Sequence, residues 1–393
     1  MIDSPLGLLA LIAALAALGF WLETRYAWAG RVGAALIVIA LGALVSNVGL
    51  VPSDSAVYDA VFGPVTSVAI VWLLLGVRLA DLRAAGLRML WAFGLAAVAT
   101  ALGALVACVL FSGSFGDDAW RLGAVLTGTY TGGSLNFVAV GREVGLPSTL
   151  FTATAAADAL VTGVWMGATL WLPVWLGRHY PLPEGARDPG GTNGPHPPGA
   201  DEAREAESDA ASGSPLEGSA LRVADLGILL ALGLGVLLAV RLVYRVAPAV
   251  PEILWLTTLA LLLAQLPAVR RLEGALPLGY LALHVFFVVI GIESRVGEIL
   301  RVGPEVLYLT ATVVLVHGVL LYGGARLARL DIGTASVASQ AAVGGPSTAL
   351  ALAVARDWPR LALPGMAVGL LGYAVGTYAG LGIGALVRAL LGG

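Results

Sequence analysis

Two Gly-Gly pairs interrupt apolar stretches of this sequence, and polar side chains that could bind a solute or an ion flank both pairs. The pairs are Gly132-Gly133 and Gly344-Gly345, followed at the same spacing by Pro147 and Pro359. A helix that breaks at mid-membrane frees backbone N–H and C=O groups, which hydrocarbon cannot satisfy. Matched breaks in two halves of a chain are typical of a transporter's binding site. Chance pairing in a chain with 52 glycines is the alternative.

The candidate ligands are hydroxyl and amide side chains on either side of the two pairs, together with the glycines themselves. They are Thr129, Thr131, Gly132, Gly133, Ser134 and Asn136, and Ser339, Gln340, Gly344, Gly345, Ser347 and Thr348. We expect half-helices to restart near Ser134 and Pro346, where partial positive charge and free N–H groups suit a carboxylate. The carbonyls freed before each break suit a cation. Close helix packing is the other use of such residues in membranes.

Asp158 is the strongest ionisable candidate, because it lies in the middle of an apolar segment among alanines. A charged side chain is costly there and indicates a functional role. The carboxylate could bind Na⁺ with neighbouring hydroxyls, or carry a proton if desolvation favours its neutral form. The alternative is a structural aspartate that caps amides of the neighbouring broken helix.

His317 is the second ionisable candidate, in the segment that precedes the second Gly-Gly pair. If two repeats cross, we expect it to approach Asp158 from the opposite side. A neutral core histidine bonded to a backbone carbonyl is an equal alternative. All 22 basic residues are arginines, so no mechanism that needs a lysine applies.

Composition identifies an integral membrane protein. The chain is 58% hydrophobic and 12% charged, with a mean hydropathy of +0.89, whereas soluble domains carry about 25% charged residues. No basic patch indicates nucleic acid. Cys108 is the single cysteine, so neither a disulfide framework nor a cysteine metal site is expected. The N-terminus lacks the basic start of a signal peptide, so we expect the first apolar segment to be retained.

Twelve apolar segments are long enough to be read as spans. They lie near 5–22, 32–51, 57–77, 87–111, 119–142, 148–176, 222–246, 251–268, 276–292, 303–328, 332–355 and 361–390. Residues 178–220 are rich in proline, glycine and acidic residues, which predicts a disordered polar linker. The expected organisation is a first transmembrane repeat at 1–177, the linker, and a second repeat at 221–393.

Loop charges favour inverted repeats. The loop after the third segment is basic, with Arg78 and Arg88, and the next loop is acidic, with Asp117 and Asp118. In the second half the loop after the ninth segment is of mixed charge, and the following loop is basic, with Arg326 and Arg329. The positive-inside tendency then gives the two halves opposite orientations. Six crossings in each half would instead make the repeats parallel, so we expect about 11 to 13 crossings.

Three runs of the sequence resemble a family of multispanning membrane proteins of unknown function from bacteria, archaea and plant plastids. They are the runs Gly128–Val140, Ala338–Ala349 and Leu363–Tyr378. The resemblance covers nearly the whole chain apart from the linker.

More remotely, the layout is similar to the superfamily of cation:proton antiporters and bile-acid:sodium symporters. That resemblance implies an all-α fold in which a core domain, with two crossing discontinuous helices, packs on a panel domain. It also implies that Asp158 occupies the position of an ion-binding carboxylate. The chain departs from the antiporters where Ala157 precedes Asp158, and where His317 replaces a lysine. These departures weigh against electrogenic antiport and leave cation-coupled symport open.

We therefore expect a secondary active transporter that moves a small anionic organic solute by alternating access, coupled to Na⁺ or H⁺. The alternatives are a monovalent cation/proton antiporter and, from another class, an intramembrane protease or lipid-modifying enzyme. The expected location is the plasma membrane of a bacterium, with several crossings. The expected partners are the solute, the coupling ion and the bilayer, without nucleic acid, cofactor or resident metal. A transient Na⁺ near Asp158 is allowed for, and a homodimer is left open.

Overall fold

The computed structural model describes residues 2–52, 54–181 and 222–391, and the regular secondary structure in these ranges is entirely helical. Most of the predicted linker lies outside the described residues. We number thirteen helices in the described part, joined by short helical turns. They are α1 (Pro5–Arg25), α2 (Ala34–Asn47), α3 (Ala56–Leu75), α4 (Leu82–Leu110), α5 (Ala119–Glu143), α6 (Ser148–Leu176), α7 (Val223–Val246), α8 (Glu252–Ala264), α9 (Ala275–Glu293), α10 (Val296–Leu327), α11 (Ile332–Val343), α12 (Pro346–Ala355) and α13 (Pro359–Leu391).

All twelve predicted segments are helical in the described residues, so the prediction of an all-α integral membrane protein is confirmed. Eight helices are long and apolar enough to cross a membrane: α1, α3, α4, α6, α7, α9, α10 and α13. α2 and α8 are shorter apolar helices. The remaining two segments, at 119–142 and 332–355, are interrupted at their glycine pairs.

The helices form two compact units, and each unit takes residues from both halves of the sequence. Among the described residues, the first unit comprises those within 2–77, 141–159 and 222–308, and the second comprises those within 78–140, 160–181 and 309–391. α6 and α10 therefore contribute to both units. The division of the chain into two repeats stays a prediction.

Within the first unit, α9 packs closely on α2 through glycines on both helices. A side-chain carbon added at Gly42 would overlap the Val288 carbonyl, and one at Gly291 would overlap the Ile39 carbonyl. Such close backbone approach is how membrane helices gain packing energy, since lipid removes the hydrophobic drive between them.

Within the second unit, α13 packs on α5 through a row of glycines at every fourth residue. Gly372, Gly376 and Gly380 lie against backbone atoms of α5, and a side-chain carbon at any of them would overlap a carbonyl oxygen. α11 is the other central element, because all twelve of its residues are buried. α5, α11 and α13 therefore carry the residues of the candidate site.

Candidate functional site

The first helix break lies within α5 and is confirmed at the predicted glycines. Gly132 has φ −147° and ψ 23°, and Gly133 has φ 67° and ψ −170°. Residues with a side chain rarely adopt the second conformation, which explains why glycine occupies it. The helix resumes at Ser134, which is exposed.

The second break separates α11 from α12 and has nearly the same backbone conformation. Gly344 has φ −113° and ψ −6°, and Gly345 has φ 88° and ψ −169°. Pro346 begins α12, where its missing N–H costs nothing. The Thr348 hydroxyl lies 3.0 Å from two carbonyl oxygens of this turn, those of Gln340 and Gly345, and donates to them. Both carbonyls also accept backbone N–H groups, so the threonine adds a side-chain bond across a turn that is already hydrogen-bonded.

Both breaks lie beside the same side chain, the half-buried Tyr373 of α13. A side-chain carbon added at Gly133 would lie 3.2 Å from Tyr373 Cε1. One added at Gly345 would lie 3.5 Å from the Tyr373 hydroxyl oxygen. The two interrupted helices therefore approach each other on either side of the Tyr373 side chain.

Asn136 fastens the first break to α13. Its amide nitrogen donates to the Gly132 carbonyl at 2.8 Å and to the Gly372 carbonyl at 3.3 Å. Its amide oxygen accepts from the Thr377 hydroxyl at 2.6 Å. The side chain is fully buried, so these partners replace water. We had expected Asn136 to bind a solute or ion, and in this conformation it closes a break.

A chain of hydrogen bonds links α6, α11, α10 and α4 next to the second break. The Trp165 indole N–H donates to the Ser339 hydroxyl oxygen at 2.9 Å. Ser339 lies 2.9 Å from His317 Nε2, and His317 Nδ1 lies 2.9 Å from the Thr100 hydroxyl oxygen. Thr100 in turn donates to the Tyr130 carbonyl at 3.0 Å. His317, Ser339 and Thr100 are fully buried.

The donor-to-acceptor direction of these hydrogen bonds assigns the tautomer of a neutral His317. Because a carbonyl only accepts, the Thr100 proton points at Tyr130, and His317 Nδ1 must carry the proton that bonds Thr100. Nε2 is then the acceptor, so Ser339 donates to it. In this arrangement the polar side-chain atoms of Trp165, Ser339, His317 and Thr100 are all paired.

α11 also carries Gln340, whose side chain is fully buried one turn before the break. Its amide nitrogen donates to the Thr169 hydroxyl at 2.8 Å, and Thr169 donates to the Met166 carbonyl. Its amide oxygen has no hydrogen-bond partner in the described structure. Leaving such an acceptor without any partner would cost about 1–3 kcal/mol.

Two threonines before the first break also have buried side-chain oxygens without a hydrogen-bond partner in the described structure. The hydroxyls of Thr127 and Thr131 are buried and have no partner among the described residues. They lie four residues apart and therefore on one face of α5. Unpaired buried oxygens thus precede both breaks, on the C-terminal turns where freed carbonyls favour a cation or a donor group.

The remaining predicted residues have different surroundings. Thr129 is buried, and Ser347, like Ser134, is exposed. Asp158 is half-buried, takes part in a polar interaction, and belongs to the first unit. Among the described residues, no group of three or more His, Cys, Asp or Glu side chains could hold a metal ion.

The sequence analysis missed four residues of this site: Thr100, Trp165, Tyr373 and Thr377. Trp165 lies near the middle of α6, away from the helix ends where membrane tryptophans usually lie, and that position was a usable signal. Tyr373 and Thr377 lie in the glycine-rich run of α13 and were taken only as part of a resemblance.

A cavity of about 700 Å³ opens at the other end of α11 from the break. It is lined by the starts of α4, α11 and α13, including Gly86, Asp331, Thr334 and Arg360. Gly86 has φ 69° and kinks α4 at this place. Thr334 precedes Gly344 by ten residues, or roughly 15 Å of helix, so the cavity is not the space between the breaks.

Comparisons with known proteins assign the chain to a family without assigning an activity. The family model described as "Protein of unknown function (DUF819)" matches residues 10–390. The "Uncharacterized membrane protein YjcL" of Bacillus subtilis (strain 168) is 29% identical over 393 residues, covering 95% of this chain and 94% of that protein.

Proposed function

This chain belongs to the DUF819 family and is a multispanning membrane protein, and we propose that it is a secondary active transporter. In this proposal it moves a small anionic organic solute across the plasma membrane of a bacterium by alternating access. The observation that carries the proposal is the pair of helix breaks beside Tyr373. Interrupted helices persist inside a membrane only where they are buried in protein or line a water-filled cavity, and matched interruptions in two halves of a chain are typical of transporter binding sites.

The helix restarts support an anionic solute. α12 starts at Pro346 and the second half of α5 starts near Ser134, so both present helix N-termini at the breaks. An N-terminus carries partial positive charge and free N–H groups that bind carboxylates. The exposed hydroxyls of Ser134 and Ser347 stand at these termini and would add hydrogen bonds to the solute.

The composition of the two units supports alternating access. One unit holds both breaks, and the other holds α1, α2, α3, α7, α8 and α9. In our proposal the unit with the breaks is the moving core, the other is the panel, and the two halves of the chain are inverted repeats. Asp158 and His317 are the two ionisable span residues that we expected at the coupling ion. His317 belongs to the unit that holds the breaks, and we propose it for the coupling ion.

Transport by purified protein in sealed liposomes tests the proposal. A thermal-shift screen of small organic acids, with and without Na⁺, first selects ligands, since a ligand that binds the folded state raises its apparent stability. Each ligand is then offered under an imposed Na⁺ or pH gradient. We expect uptake above the electrochemical equilibrium for the wild type and none for Gly345→Val. Absence of uptake for every stabilising acid would refute solute transport, and cation-driven proton movement without solute would favour the antiporter.

One observation favours an intramembrane hydrolase as a second candidate. Ser339, His317 and Thr100 have the arrangement of a nucleophile, a base and an orienting group. However, the Ser339 hydroxyl is fully buried and accepts a bond from Trp165, which ties up the oxygen that would attack. Labelling with a fluorophosphonate probe separates the candidates. The transporter proposal expects no label on the wild type, whereas label that Ser339→Ala abolishes would establish the hydrolase.

A further inference from the structure

The surroundings of His317 are built from neutral groups on four helices. α4 presents the Thr100 hydroxyl and the Ala96 carbonyl, α11 presents Ser339, and the ring of Trp165 on α6 meets the imidazole edge-on at 6.0 Å. α5 takes part through the Tyr130 carbonyl, which accepts from Thr100. The imidazole has no carboxylate or guanidinium contact in the described part of the chain.

The hydrogen-bond chain can accept a second proton without moving a heavy atom. A proton on His317 Nε2 would donate to the Ser339 oxygen, which lies 2.9 Å away and has a lone pair besides the one that Trp165 uses. The Ser339 hydroxyl would then rotate to a carbonyl of the preceding helical turn, as serines in membrane helices do. Nδ1–H would keep its bond to Thr100. Both protonation states of His317 are therefore fully bonded.

What separates the two states is charge. An imidazolium here would be fully buried without a counter-ion, and a buried unpaired charge is strongly disfavoured. The packed elements also carry Tyr130 on α5 and Tyr322 on α10, and a phenol is neutral at ordinary pH. The closed conformation seen here therefore disfavours the proton. A conformation that admits water to the breaks would favour it.

We propose that His317 Nε2 is the binding site of a coupling proton, which it takes from water when the breaks are open to one side of the membrane and gives back to water when they are open to the other. The N–H bond is the only bond that forms or breaks. Ser339 is the positioning residue, and it lies on α11 five residues before Gly344, so its hydrogen bond connects the proton to the helix that ends at the break. A ligand that binds one conformation better than another shifts the equilibrium between them.

This inference rests on the proposed function and names its coupling ion as H⁺. A first experiment does not depend on transport. Protein with ¹⁵N-labelled histidine, in lipid nanodiscs, is titrated by NMR, and His317→Gln assigns the signal among the four histidines. We expect a neutral Nδ1–H tautomer at high pH that converts to imidazolium as the pH is lowered while the protein stays folded. A His317 signal that stays neutral down to the pH at which the protein unfolds would overturn the inference.

The second experiment measures coupling in liposomes. One pH unit is equivalent to about a tenfold gradient of a solute moved with one proton. We expect wild type to approach that accumulation and His317→Gln to show none above equilibrium. His284→Gln is the matched control, because His284 is also a buried histidine in a span, bonded to the Tyr280 carbonyl in the first unit. We expect it to accumulate solute like the wild type.

The outcomes separate this inference from the proposed function. If wild type transports solute and His317→Gln accumulates it equally under a pH gradient, the proton site is wrong and the transporter stands. If wild type moves no solute while His317 titrates with the expected tautomer, the transporter is wrong, and the proton site remains as a property of the chain without its coupling role. If His317→Gln does not insert into the membrane, Ser339→Ala takes its place. This variant must lose accumulation if the Ser339 oxygen accepts the hydrogen bond from Nε2–H.

Discussion

The Thr377 hydroxyl donates a 2.6 Å hydrogen bond to the amide oxygen of Asn136, and this bond joins α13 to the first helix break. The two residues are 241 positions apart in the chain. Because the other end of the Asn136 amide satisfies the Gly132 carbonyl, the pair stabilises the interrupted backbone directly. The break is thus held by tertiary contacts.

We expect Asn136→Ala to lower the free energy of unfolding by about 1–3 kcal/mol, because it leaves buried carbonyls unpaired. Thr377→Val removes the hydroxyl at nearly constant shape. The double variant should show a coupling energy of about 0.5–3 kcal/mol, measured by unfolding in detergent. Ser134→Ala, at an exposed site beside the same break, is the control and should change stability little. If the effects of the two single substitutions are additive, the Asn136–Thr377 hydrogen bond does not stabilise the break.

The backbone at Gly345 predicts a second effect. With φ 88° and ψ −169°, this residue is in a region that is nearly restricted to glycine and costs other residues about 1–3 kcal/mol, so Gly345→Ala should destabilise by that amount. Gly323→Ala, on α10 with open space around the glycine, should instead gain up to about 1 kcal/mol from helix propensity. Thermal unfolding of both variants checks the pair. Equal melting temperatures would show that the α11–α12 turn tolerates another conformation.

The glycine row of α13 predicts a third effect. Gly372→Ala would place a methyl group on the Thr131 carbonyl, and overpacking of this kind costs about 1–3 kcal/mol. Gly382→Ala, on the same helix with nothing within 4 Å, is the matched control and should be neutral or stabilising. The comparison is made by thermal unfolding. A Gly372→Ala protein as stable as Gly382→Ala would refute close packing of α13 on α5.

The unpaired amide oxygen of Gln340 predicts a binding effect larger than its stability effect. Gln340→Ala loses one hydrogen bond to Thr169 but also removes a buried acceptor without a partner. Under the proposed function we expect the apparent affinity for the ligand to fall about tenfold or more, which is about 1.4 kcal/mol. The affinity is measured from the ligand-induced rise in melting temperature. Ser336 lies on α11 like Gln340 and is bonded to Tyr322. Ser336→Ala is therefore the control, and it should keep the ligand response. The reverse ranking would exclude Gln340 from the site.

Asp158 allows a test by contrast of two substitutions. It is half-buried and takes part in a polar interaction within the protein. An amide oxygen still accepts hydrogen bonds, so we expect Asp158→Asn to keep both the fold and pH-driven uptake. Asp158→Ala removes every polar atom of the side chain and should lose stability. Unfolding and liposome uptake are measured for both variants. Loss of pH-driven uptake in Asp158→Asn would transfer the coupling role from His317 to Asp158.

The helices and their breaks were predictable because they depend on local sequence. Apolar length locates the spans, and a Gly-Gly pair with polar neighbours is the local signal for a backbone conformation that other residues avoid. Pro346 was likewise predictable as the start of α12, because proline fits the first turn of a helix. None of these inferences requires knowing which helices touch.

The roles of the polar side chains could not be obtained in this way. Ligand binding by Asn136 stays a prediction. Its bonds to Gly372 and Thr377 could not be foreseen, because they join residues more than two hundred positions apart. Trp165 was not singled out at all, and its partner Ser339 is 174 positions distant. Sequence spacing carries no information about such contacts.

The sequence by itself therefore determined that this chain spans a membrane with helices and that two of them break at Gly132-Gly133 and Gly344-Gly345, because hydropathy and glycine conformation are local properties. Only the tertiary structure decided that both breaks meet beside Tyr373 and that His317 is bonded between Thr100 and Ser339. Those relationships depend on how closely glycine-lined helices approach one another, and that distance is set by packing along their whole length.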